Sequence, residues 1–128
     1  EEMKRKWALL AQLEAETGAH IGKALKALGA EPAPSLACLE RGPQLAARFS
    51  RMPWADFMNA FGPALQDFVA AFSAAERLAP AGSREHRLLR HITRHEQALL
   101  AFAVRAKEQD GDASVQAVRA LLGVPIEE

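Results

Sequence analysis

The sequence predicts an all-α protein, a four-helix bundle with additional short helices. Apolar residues recur at three- and four-residue intervals through most of the chain, and no segment sustains the alternation of a strand. The periodic segments are long, and short Gly- and Pro-containing stretches separate them, as in folds that pack helix on helix. At 128 residues, nearly half apolar and a quarter charged, the chain suits a single domain over 1–128 with a substantial core.

The first helix carries Trp7, Leu10, Leu13, Thr17, Ala24, Leu25 and Leu28 on one stripe and stops at Gly29, before the loop "AEPAP". The region "SLACLERGPQLAARFSRM" is expected to be helical but broken at Gly42–Pro43, because proline suits the first turn of a new helix. In "PWADFMNAFGPALQDFVAAFSAAERLA", Trp54, Phe57, Met58, Phe61, Leu65, Phe68, Val69 and Phe72 share one narrow face. Pro63 inside that pattern is expected to kink the third helix. The linker "APAGS" follows, with Ser83 as the cap of a fourth helix of about 25 residues. Gly111 is expected to stop that helix, and Asp112 or Ser114 to begin a short last one over "VQAVRALLG".

Charge and cysteine content narrow the partners. Sixteen basic residues offset sixteen acidic ones, so no net field draws the chain to nucleic acid or anionic lipid. No nucleic-acid partner is expected, since neither exposed aromatics nor a lysine-rich surface accompanies the basic positions. The lone Cys38 closes no disulfide within the chain, which points to a reducing, cytoplasmic setting. The start is charged from its first residue, unlike a signal peptide, and no apolar run approaches the roughly 20 residues of a membrane span. A chain that opens on Glu1 rather than methionine suggests trimming.

Polar residues on apolar faces are the candidates for chemistry. At about 100° per residue, Leu88, Leu89, Ile92, Leu99, Leu100 and Ala103 define the core arc of the fourth helix. Glu96 falls inside this arc, His95 on its near edge, and His91 further out toward the polar side. On the first helix Glu14 and Thr17 fall within the apolar arc and His20 at its border. Two carboxylates are thus expected to point inward, where an unpaired charge costs several kcal/mol. Three arrangements would satisfy them. One is a structural network with Arg or His. Another is a metal site of Glu14, His95 and Glu96, with His20 or His91, whose ligand types suit iron, manganese or zinc. The third is metal-free acid–base chemistry by a Glu–His pair. Glu85 also projects inward, where the helix dipole accounts for it, and His86 is expected on the surface.

With "LEAET" on the first helix and "RHEQALLAFA" on the fourth, the chain resembles the ferritin-like superfamily. The resemblance implies a bundle holding two iron or manganese ions between a Glu from each of two helices and a Glu-x-x-His motif from each of the others. Glu14 and Glu96 match the single glutamates. The chain departs from the pattern in having no Glu-x-x-His; Glu16-x-x-x-His20 and His91-x-x-x-His95 are each one residue longer. On the third helix only Glu76 lies on the inward side. The resemblance therefore implies a one-metal site or a bundle without metals. The order His91, His95, Glu96 also differs from the metalloprotease motif, whose glutamate follows the first histidine.

Three functions follow. A binding or interaction module would hold a small apolar ligand or a second subunit, as a homodimer, through Trp54, Phe57, Phe61, Phe68 and Phe72. A ferritin-like metal-dependent oxidoreductase would work through Glu14, His95 and Glu96. A scaffold or regulatory protein would present the basic outer face of the fourth helix, Arg87, Arg90 and Arg94 with Arg105 and His91. The apolar face is the stronger pattern and places the module first.

Overall fold

The computed structural model describes residues 1–107 and 111–126, and every regular element among them is helical. In chain order these are α1 (Glu2–Ala27), α2 (Leu36–Phe49), α3 (Trp54–Leu78), α4 (Arg84–Lys107), a 3-10 helix (Gly111–Val115) and α5 (Gln116–Leu121). None of the described helices is long and apolar enough to cross a membrane.

Local chemistry sets the ends. Gly29 adopts a left-handed φ of 80°, which lets the Gly29 N–H bond Lys26 O and the Ala30 N–H bond Leu25 O, closing α1 in a Schellman motif. Ser35 and Ser83 cap α2 and α4 by accepting from the N–H groups of Cys38 and His86 at 3.1 and 3.0 Å. The expected stop of α4 at Gly111 depends on 108–110, which lie outside the described residues. The Asp112–Ser114 start takes 3-10 form before α5 begins at Gln116.

Pro43 corrects the expectation of a break, and Pro63 lies inside α3 as its place in the apolar pattern implied. α2 runs unbroken through Pro43, and α3 is a single element through Pro63. Each proline costs its helix one backbone bond, to the carbonyl of Leu39 or Asn59. Both of those residues are exposed, so water can satisfy the orphaned carbonyls.

The core joins Leu10 and Leu13 of α1, Phe57, Met58 and Leu65 of α3, Leu99, Phe102 and Ala103 of α4, and Val115 and Val118 beyond. α3 and α4 form the most extensive pairing, a hairpin across the turn at 79–83. α4 also packs on α1, the 3-10 helix and α5, so it is the central strut. Ser114, Val115 and Val118 are among the most deeply buried side chains, although they belong to the shortest elements. α2 by contrast buries no residue, and only Phe49 near its end leans on the core.

Candidate functional site

The candidate polar residues come together along the seam between α1 and α4. His95 is 4% exposed and bridges the two helices, with Nδ1 2.9 Å from Thr17 Oγ1 and Nε2 3.2 Å from Glu14 Oε1. A carboxylate only accepts, so Nε2 carries the proton donated to Glu14. In the neutral ring Nδ1 then accepts from the Thr17 hydroxyl. One turn away His20 and His91 meet edge to face, ring centres 5.7 Å apart. Burial pushes His91 below the ordinary imidazole range, and His20, His95 and Arg94 push the same way. Glu96, half-buried on the same seam, is raised by burial; His95 opposes that rise and Glu14 adds to it.

Several side chains differ from expectation. The Glu14 side chain is 60% exposed rather than inward, although its carboxylate still reaches His95. His91 is buried, not on the polar side, because α4 packs against α1 as well as α3 and its covered arc is wider than one apolar stripe. Glu85 is exposed rather than inward, at the solvated start of α4. His86 is half-buried, not on the surface, with Nε2 4.0 Å from Glu76 Oε1 across the α3–α4 turn.

The Glu14–His95–Thr17 relay has the composition of an acid–base site without its access. Thr17 is only 4% exposed, so the hydroxyl has no face open to a substrate, and Glu14 alone meets water. Among the described residues, no three His, Cys, Asp or Glu side chains are grouped to hold a metal ion. Glu14, His20, His91, His95 and Glu96 therefore lie along one interface without converging on a point, and the geometry is that of a clasp.

The aromatic residues of α3 divide into two sets. Phe57 and Phe61 stack at 5.1 Å, Trp54 lies 6.4 Å from Phe102, and Trp7 of α1 meets Trp54 at 5.7 Å. These rings fill space against one another. Phe72 is half-buried and Phe68 is 52% exposed, off the core that the apolar stripe implied. Neither of two surface cavities, of about 460 and 90 Å³, is lined by α3. On the basic face of α4, Arg90, Arg94 and Arg105 are exposed, whereas Arg87 is half-buried and donates to Gly82 O.

Three features escaped sequence reasoning. Lys6 sits at 7% exposure in the α1 stripe, paired with Glu2 at 2.8 Å. The Gly123 N–H donates to Glu16 Oε2 at 2.7 Å and ties the segment after α5 to α1. The third is α2, where Leu36 and Leu39 are 79% and 56% exposed on an amphipathic helix without a buried residue. Its one-sided pattern was legible once Pro43 is taken as interior to the helix. No known protein family, curated protein or solved structure matches the chain.

Proposed function

We propose that this chain is an interaction module, a four-helix bundle that associates with a second copy of itself through α2 and the exposed flank of α3. The observation that carries the reading is the apolar face of α2, with Leu36 and Leu39 in water and no residue of the helix buried. An amphipathic helix gains most of its stability by packing that face, and here the described residues do not supply the cover. Phe68 and Leu78, 52% and 87% exposed on α3, offer a partner further apolar surface. A second copy suits this surface because the chain has no net charge, so two copies meet without mutual repulsion. The resemblance to ferritin-like bundles then concerns the arrangement of helices, and the Glu14–His95–Thr17 seam is their clasp. The aromatic third helix contributes mainly as the core that holds α2 and its own outer flank in place.

Sedimentation equilibrium over micromolar to high-micromolar concentrations tests the proposal. The expected result is a reversible dimer that dissociates in Leu36→Glu/Leu39→Glu, with helix content by circular dichroism unchanged. Phe68→Glu should weaken the dimer to a lesser degree. A monomer at every concentration, or a dimer indifferent to the α2 substitutions, overturns it.

A further inference from the structure

The geometry points to a binding site for a free amphipathic anion, a carboxylate head on an alkyl tail, in the groove between α1, the start of α4 and the segment after α5. This open groove offers about 460 Å³, within the range of small-molecule sites, and owes nothing to α2. Its polar lining is basic: Lys23 and His20 on α1, Arg84 and Arg87 on α4. Among the described residues no carboxylate lines it. The rest of its lining is apolar, from Ala24, Ala27 and Leu28 at the end of α1 and from Pro125 and Ile126. The bond from the Gly123 N–H to Glu16 holds that last wall on α1.

Two arguments turn this shape into a ligand class. Arg84 and Arg87 stand in the opening turns of α4, where the helix dipole disfavours cations. A bound anion reverses that conflict, since it gains both the dipole and the side-chain charges. Basic and apolar residues line one cleft, so inorganic phosphate would use only the first and a neutral lipid only the second. A single charged head with a short tail uses both. Lys23 and Arg84 are exposed and can close on the head, while Arg87 stays anchored on Gly82 O.

The test is titration of the full chain with submicellar decanoate, followed by amide chemical shifts and calorimetry. The expected result is saturable binding, with shifts at Lys23, Ala27, Arg84 and Ile126. Lys23→Glu/Arg84→Glu should weaken it by about tenfold or more, roughly 1.4 kcal/mol per decade, while helix content and melting temperature stay put. Acetate and 1-decanol, which carry head or tail alone, should bind far more weakly. Absence of saturation, equal affinity in the double variant, or equal binding of 1-decanol overturns the site. Co-sedimentation with phosphatidylglycerol vesicles in a protein that ignores decanoate also overturns it, in favour of a membrane surface.

Discussion

The ring of His95 on α4 lies 2.9 Å from the hydroxyl of Thr17 on α1, joining residues 78 positions apart in a contact sealed from solvent. It is the most buried polar link between these two helices, and Glu14 closes its outer side.

Breaking that link should cost stability at its centre and little at its edge. His95→Ala removes a buried ring and leaves the Thr17 hydroxyl without its partner, so a loss of about 2–4 kcal/mol is expected. Glu14→Gln keeps an acceptor at a largely hydrated position and should cost less than about 1 kcal/mol. Urea unfolding of both variants checks the contrast; equal losses would show that the clasp is not centred on His95.

Acidification should loosen the seam. The folded-state pKa of His91 is depressed, so below the unfolded value of 6.5 the unfolded chain takes up the proton first. The contribution of a neutral His91 is present above that value and declines as pH falls from it toward the lowered folded pKa. In His91→Gln the stability curve should be flatter over this interval, as measured by thermal melts at closely spaced pH. A slope that survives the substitution assigns the effect to another group.

Glu96 carries the opposite sign. Its folded-state pKa is raised above 4.5, so ionisation at neutral pH works against the folded state. Glu96→Gln should therefore raise the melting temperature at pH 7, and the gain should vanish below the unfolded value, where both states hold the proton. A lower melting temperature at pH 7 would mean that the carboxylate accepts a bond the seam depends on.

The two sets of phenylalanines should separate cleanly. Phe102 is fully buried, and Phe102→Ala should cost about 3–5 kcal/mol from lost burial and the cavity left behind. Phe68 is half in water, so Phe68→Ala should stay within about 1 kcal/mol in the monomer. Denaturant midpoints at dilute concentration distinguish them.

The Glu16–Gly123 bond makes a local prediction. The Gly123 N–H first, and then Gln12, hold the Glu16 carboxyl below the ordinary range. In Glu16→Ala the Gly123 amide should exchange with solvent several-fold faster while amides in the middle of α4 keep their protection. Uniform acceleration would indicate global destabilisation instead.

Periodicity alone was enough for the helical class, for the apolar stripes that became Leu10, Leu13, Met58 and Leu99, and for the caps at Gly29 and Ser83. These are local properties, since a 3.6-residue repeat or a glycine with positive φ acts within a few neighbours. The sidedness of α4 was beyond its reach. That helix touches partners on two faces, so His91 and Thr93 are covered although one apolar arc leaves them out. Glu14 shows the reverse case. Its backbone position lies on the inner arc, but the side chain is long enough to carry its carboxylate into water while one oxygen reaches His95. Chain folding also chose which segment closes the core. The few residues from Ser114 to Val118 took that place, and the longer α2 was left with its apolar face uncovered. Helical repeat describes how a segment is painted; what comes to lie against the paint depends on how distant segments meet.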